Sequence, residues 1–426
     1  MQVFKFGGAS VRDAHGVRTV AGIIQQQNPN QLLVVVSAMG ETTNALEQLI
    51  GAYLRRQDNT YDLWQRIRTQ HEQVIQELAG EDQTAFGQVY DLFAEVESLL
   101  QREPDPYTKP DQIYDQLVSY GELLSTRIVN AYLNQSGLDS YWVDARRLIR
   151  TDASYREGKV DWKQTCEYIT DSLAELLSTS VVITQGFIGS TGEGNTTTLG
   201  RDGSDYTAAI FAHCLEASGV TIWKDVPGVL NADPKWFDET VKIDQLTYQD
   251  AIELAYYGAT VIHPKTIKPL QNKNIPLYVR SFLHPQNAGT VIGNFEQRLP
   301  IPSFIFKMNQ TLISFHPKDF SFIAEENLSK IFGQFAEFGV KINLMQNTAI
   351  SFSVAVDNRP DRLAGLLSRL QEEFRITYNE GLELITIRHY DDKTIERVLV
   401  NKKLLVEQKS RYTVQLVVKD LNTHGL

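Results

Sequence analysis

The first third of the chain alternates short, continuous apolar runs with longer stretches whose apolar residues recur every three or four positions. Two of the runs, QVFKF near the start and LLVVVSA at 32–38, are unbroken and β-branched. That is the pattern of strands buried on both faces. Residues 11–27 between them carry helical spacing, as does a long polar stretch from 44 to about 100. REPDPYTKPD at 102–111 predicts a loop, followed by a helix over 112–135 and a strand at YWVDARRLI. The rhythm then repeats: a helix over 161–178, the strand VVITQGFIG entering a glycine-rich loop, and a helix at SDYTAAIFAHCLEA. A strand and turn at GVTIWKDVPGV, a helix at TYQDAIELAYYG and a strand at IPLYVRS complete it. Such alternation predicts an α/β fold, a mostly parallel sheet between two helical layers.

The pattern changes near residue 300. HPQNAGTVIG and RLPIPSF (298–304) hold the glycines and prolines of a boundary, which places one domain at 1–300 and another at 301–426. TLISFH, a helix over about 325–338, VKINLMQ, AISFSVAV, a helix over 359–371 and FRITYNE spell β-α-β-β-α-β, a ferredoxin-like α+β module. Residues 382–419 begin a second pass that stops before another helix and strand, giving one full module and a shortened second.

Composition narrows the options. With 42% hydrophobic and 22% charged residues the chain is of ordinary globular type. A net charge of −11 argues against a nucleic-acid partner, which needs a basic face. No run reaches the ~18–20 apolar residues of a membrane span, so no membrane partner is expected. MQVFKF enters a strand at once and leaves no room for a signal peptide. Cys166 and Cys214 are the only cysteines, too few for a disulfide framework or a cysteine metal site, which points to a reducing, cytoplasmic location. No metal-ligand spacing stands out, so no protein-held metal site is expected.

Several stretches could carry chemistry. KFGGAS (5–10) puts Lys5 at a strand end, with Gly7 and Gly8 in the turn and Ser10 entering a helix. Converging backbone N–H groups there fit an anion, and Lys5 would meet a phosphate; a plain strand–turn–helix corner with a snorkelling lysine fits the same residues. In VSAMGETTN (36–44), Ser37 and Thr43 suit a substrate contact or an ordinary helix cap. Glu122 in SYGELLSTR falls in a first helical turn, where the dipole favours an acid without any function. The densest stretch is TTTLGRDGSDYTAA (196–209): Arg201 suits bidentate carboxylate binding, Ser204 can cap the following helix, and Asp205 lies in its first turn. ITQGFIGSTGEGN before it predicts a mobile loop that closes over a ligand. Lys224 and Asp225 in WKDVPGV leave a strand where α/β sheets bind ligands, or form an exposed turn. His263 in GATVIHPKTIKPL reads as a structural histidine.

In this order the stretches resemble the aspartate kinases of the amino-acid kinase family. KFGGASV, YGELLS, VITQGFIG, TTTLGRDGSDYTA, DVPG and GATVIHP each match a family motif, across residues 3–264, and the tail resembles the paired ACT modules of that family. The resemblance implies transfer of the ATP γ-phosphoryl group to the side-chain carboxylate of L-aspartate, with Mg²⁺ bridging phosphates. It assigns Lys5 and Asp205 to catalysis, and Ser37, Thr43, Glu122, Phe187, Arg201 and Ser204 to the amino-acid substrate. Glu122 would pair with the α-ammonium and Arg201 with the α-carboxylate. Gly7, Gly8, Ser10, Lys224, Asp225, Lys235, Thr260 and Val261 would serve the nucleotide. A homodimer or larger homo-oligomer through the C-terminal region is also implied.

The chain departs from the family pattern at a few positions. Ala9 replaces a threonine, Thr260 stands where many members carry lysine, and Asp202 replaces a glycine. These departures motivate an alternative: an ACT-containing homologue with little activity that binds amino acids as a regulator. In lysine-inhibited members an acidic, hydroxyl-rich segment of the first ACT module binds the effector. Here it reads INLMQNTAIS, with Asn343 and Ala349 at positions often acidic, so lysine feedback is not expected.

Overall fold

The computed structural model describes residues 1–27, 29, 31–80, 83–237, 239–259, 262–296, 301–319 and 321–421. They form two compact units: Met1–Val229 with Lys242–Ile252 and Val261–Arg298, and Leu230–Val241 with Glu253–Thr260 and Leu299–Leu426. Two short segments that precede residue 300 therefore belong with the second unit.

The first unit is built on an eight-stranded sheet. Its strands are β1 (Gln2–Phe6), β2 (Leu32–Val36), β3 (Ser140–Val143), β4 (Val181–Gln185), β5 (Gly219–Lys224), β6 (Gln245–Thr247), β7 (Leu277–Ser281) and β8 (Thr290–Gly293), in the order β6-β8-β7-β5-β1-β2-β4-β3. All neighbours run parallel except β7 and β8. β2 is buried at every position, as its unbroken apolar run predicts. The chain steps from β1 outward to β2, then returns from β4 across the sheet to β5 on the other side of β1. Right-handed crossovers in opposite directions put helices on opposite faces, and the reversal leaves a crevice at the carboxyl end of β1.

Several expected elements are subdivided. The stretch 44–100 forms three helices, Thr42–Leu54, Thr60–Ala79 and Gly87–Leu100; left-handed residues at Arg56 and Gly80 end the first two. The 112–135 helix is two, Pro110–Val118 with proline in its first turn and Tyr120–Gln135. The expected glycine-rich loop instead pairs into a β-ribbon, Ile188–Ser190 against Thr196–Thr198, with Thr197 and Thr198 buried. Cys166 on helix Trp162–Leu173 and Cys214 at the end of helix Gly203–Cys214 form one disulfide, which removes the cysteine count as an argument for a reducing location, since two cysteines suffice for one bridge where the fold brings them together. Among the described residues no helix is long and apolar enough to cross a membrane.

The second unit holds a six-stranded antiparallel sheet: β9 (Ser303–Pro317), β10 (Ile342–Asn347), β11 (Phe352–Asp357), β12 (Phe374–Arg388), β13 (Lys402–Lys409) and β14 (Thr413–Asp420), ordered β10-β11-β9-β12-β14-β13. The distal halves of β9 and β12 join β10, β11 and helices Glu325–Glu337 and Pro360–Leu370 in a complete ferredoxin-like module. Ile313, Phe315, Ile331, Phe335, Val354 and Leu366 fill its core. The second module uses the rest of β12, helix Asp392–Val398, β13 and β14. Its missing fourth strand is supplied by the start of β9, paired from Ser303 opposite Arg388 to Lys307 opposite Leu384. Phe237 covers its core, stacked on Phe304 at 4.6 Å, with Ile385, Ile387, Val414 and Leu416 beneath.

Candidate active site

Lys5 lies on β1 between Val35 of β2 and Ile222 of β5, so its backbone position is fixed from both sides. The turn that follows is tight: Gly40 N–H donates to Gly8 O at 3.1 Å, and a Cβ on Gly8 would sit 2.8 Å from Ala38 O. Only glycine lets the β1 and β2 exits approach so closely.

Helix Gly203–Cys214 points its first turn at the same place. Its start is packed against the end of β4: a Cβ on Gly186 would meet the Ser204 Cβ at 2.4 Å. Ser204 is therefore inside the helix and does not cap it; the N-cap is Asp202, in left-handed conformation with φ +53° and no side-chain cap bond. The position favours glycine on backbone grounds, and Asp202 turns its carboxylate toward Arg201, 3.7 Å away. Phe187 also has a positive φ, +71°, a costly conformation for an aromatic residue, held by its N–H donating to Thr207 Oγ1 and by its carbonyl accepting from Leu199 N–H.

Asp205, in the first turn, meets Lys5 in a buried ion pair, Oδ1 to Nζ 2.7 Å, and its other oxygen lies 3.9 Å from Lys224 Nζ. Burial alone would raise the Asp205 pKa, but the two ammonium groups outweigh it and hold the carboxyl below its ordinary range. Asp205 is thus a fixed anion paired with the Lys5 ammonium.

Glu122 behaves differently. It is buried at the start of helix Tyr120–Gln135, which is tied to the β2 exit by a bond from Ser125 Oγ to Ser37 O at 2.7 Å. Its Oε1 accepts a long bond from Ala38 N–H, 3.4 Å, while Oε2 has no partner. Burial pushes its pKa up to about 8, only partly opposed by Lys5. A carboxylate left this way calls for a cation to come from outside.

Lys5, Ser37, Thr43, Glu122, Phe187, Arg201, Ser204 and Asp205 line one cavity of about 490 Å³. The nucleotide group is less gathered. Lys224 reaches the cavity through Asp205, whereas Gly7 and Gly8 form the turn beneath it, Ser10 is buried and Asp225 is exposed. Lys235 belongs to the second unit, and Thr260 and Val261 lie outside the described residues. His263 caps helix Pro264–Asn272, accepting from Lys265 N–H, the structural role expected of it. Thr43 and Ser37 cap nothing: helix Thr42–Leu54 has Glu41 at its N-cap, without a side-chain bond. Among the described residues no group of His, Cys, Asp or Glu could hold a metal.

Sequence reasoning missed Glu47, Tyr114, Arg156 and Glu157, which line the same cavity; Thr198, Gly200, Asp202 and Gly203 of the dense 196–209 stretch complete its wall. Tyr114 donates to Glu47 at 2.6 Å, and Arg156 lies 3.8 Å over the Tyr114 ring while pairing with Asp111. Tyr114 and Asp115 are buried beside Ile113, Leu117 and Val118 in helix Pro110–Val118, and their polar atoms signal a destination other than core.

The chain is similar to known proteins over most of its length. The model of the amino acid kinase family matches residues 1–281. The lysine-sensitive aspartokinase 3 of Escherichia coli is 32% identical, covering 90% of this chain and 86% of its own length. Two solved structures of E. coli aspartokinase III superpose over 98% of this chain at 28% identity. One, in complex with lysine and aspartate, covers 95% of its own chain with a TM-score of 0.82; the other, with aspartate and ADP, covers 96% with 0.81.

Proposed function

The chain belongs to the amino acid kinase family, and on that premise we propose that it is an aspartate kinase, transferring the γ-phosphoryl group of ATP to the side-chain carboxylate of L-aspartate. One observation carries the assignment: a cavity that pairs the buried, unpartnered Oε2 of Glu122 with the exposed guanidinium of Arg201. That is a receptor for both ends of an α-amino acid, Glu122 for the ammonium and Arg201 for the α-carboxylate. Ser37, Thr43, Phe187 and Ser204 complete this pocket.

The substrate carboxylate is already ionised at neutral pH and needs no general base. Its oxygen attacks the γ-phosphorus in line, the bond to the β–γ bridging oxygen breaks, and ADP leaves with the electron pair. Lys5, held by Asp205, neutralises charge that develops on the transferring group, with the amides of Gly7 and Gly8 alongside. Ser10, Lys224, Asp225, Lys235, Thr260 and Val261 are assigned to the nucleotide. The nucleotide enters as its Mg²⁺ complex, the ion neutralising phosphate charge.

Among the described residues nothing in the site favours the low-activity alternative. Ala9 is exposed, and Asp202 occupies a backbone position without disturbing the Lys5–Asp205 pair. We assign the tail to the ACT class. Its β10 edge, which carries exposed Met345, supports homo-oligomer formation, whereas β13 is guarded by Lys402, Lys403 and Lys409. We infer that the reaction stands at the head of lysine, threonine and methionine biosynthesis.

A hydroxylamine trap for acyl phosphate, run with ATP and aspartate, glutamate or acetate, tests the assignment. Hydroxamate is expected with aspartate alone. Signal with glutamate and none with aspartate overturns it.

A further inference from the structure

Asp115, on helix Pro110–Val118, has no solvent exposure and does not line the cavity. A fully buried carboxylate is costly unless its oxygens are bonded. Here they are. Oδ2 accepts from Thr198 N–H at 2.8 Å and from Arg156 N–H at 3.0 Å, and Oδ1 accepts from the Thr198 hydroxyl at 2.8 Å and from Arg156 N–H at 3.2 Å.

The segments that meet on this carboxylate are walls of the substrate cavity. Its neighbour Tyr114 faces the cavity from the helix. Arg156, in left-handed conformation with φ +67°, faces it from the loop that follows β3, and Gly158 N–H of that loop donates to Thr198 O at 2.8 Å. Thr198 ends the ribbon that leads through Gly200, also at positive φ, into Arg201. The guanidinium assigned to the substrate α-carboxylate is itself exposed, and its nearest recorded charged partner is the adjacent Asp202. Its placement therefore depends on where Thr198 and Gly200 put the backbone.

We propose that Asp115 is a positioning residue for substrate binding: by clamping Thr198 and Arg156 together it sets the position of the Arg201 guanidinium against Glu122 across the cavity. The proposal rests on the aspartate kinase assignment. Asp115 touches no reacting atom, and Lys5, Asp205 and the β1 turn do not bond to it. Its loss should therefore weaken aspartate binding and spare both nucleotide binding and the chemical step.

The test is steady-state kinetics of the full chain carrying Asp115→Asn or Thr198→Val, with aspartate and ATP varied separately. Asp115→Asn keeps the shape but turns an N–H donor toward backbone N–H donors. The KM for aspartate should rise about tenfold or more, with kcat and the KM for ATP within about twofold of the parent. Thr198→Val removes only the hydroxyl bond and should raise the same KM by about threefold. If Asp115→Asn is not recovered folded, Thr198→Val decides alone. An unchanged KM for aspartate, or parallel losses in kcat and both KM values, overturns the proposal. A parent enzyme that fails to turn over aspartate would sink the functional assignment instead, a separate result.

Discussion

The raised pKa of Glu122 makes aspartate binding a titration that can be read from kinetics. In the free enzyme the group titrates at about 8, because burial penalises the charged form more than Lys5 and the Ala38 N–H favour it. The substrate ammonium needs the ionised form. The fraction ionised is about 0.9 at pH 9, about 0.09 at pH 7 and about 0.01 at pH 6. The KM for aspartate should thus rise about tenfold from pH 9 to pH 7 and about tenfold again to pH 6, while kcat stays flat. Aspartate binding at pH 7 should release about 0.9 proton, measurable by calorimetry in two buffers of different ionisation enthalpy. The sign for folding is the reverse. A carboxyl whose pKa is raised on folding favours the folded state below its unfolded pKa and loses that contribution as pH rises through about 8. The substrate-free protein should therefore lose thermal stability between pH 5 and pH 8, and saturating aspartate should restore it. A KM that is level from pH 6 to 9, or a Glu122→Gln variant that keeps the parental KM at pH 9, refutes the role given to Glu122. A profile that moves kcat instead would place Glu122 in the chemistry.

Three further outcomes are expected. Lys5→Ala should lower kcat by about a hundredfold or more, and Asp205→Asn should follow it, whereas Asp202→Gly should retain turnover and gain up to about 1 kcal/mol from relief of the left-handed backbone; a crippled Asp202→Gly would mean the two aspartates are misassigned. The Cys166–Cys214 bond closes a 48-residue separation, worth about 4 kcal/mol by chain entropy, so thiol reduction should lower the urea midpoint and, by letting the unfolded chain expand, raise the m-value; an unmoved midpoint would remove the bond from the stability account. Millimolar lysine should leave the rate untouched, because Asn343 Oδ1 is occupied by Lys307 Nζ at 2.8 Å and an effector ammonium would meet a cation there; inhibition in a lysine titration contradicts this.

What the sequence made legible and what it hid divide along a physical line. Lys5, Glu122, Arg201 and Asp205 sit in short motifs whose glycines and strand ends fix their own surroundings, so local pattern sufficed. Arg156, Glu47 and Tyr114 reach the same cavity from segments far apart in the chain, and only the fold brings them together. An acid inside a buried helical run, as at Asp115, was the available signal. The ribbon at 188–198 reads as a loop in the sequence because its glycines mask a local pairing that Asp115 and Gly158, distant in the chain, brace at Thr198. The first half of β9 escaped notice for another reason. Its alternation breaks where the register shifts between Lys307 and Gln310, so one strand of fifteen residues showed only its second half.

That strand has a consequence for how the tail can be made and altered. β9 and β12 each run through both modules, so the first is nested inside the second. During synthesis the inner module has all its strands once residue 379 emerges, while the start of β9 waits until residue 388 has emerged for its pairing partner and for β14 before its neighbour is complete. Cutting between the modules would sever both long strands. A chimera that imports another sensor must therefore exchange 303–420 as one piece, with the Phe237 segment matched to it, and a sensor evolving in place must change both halves together.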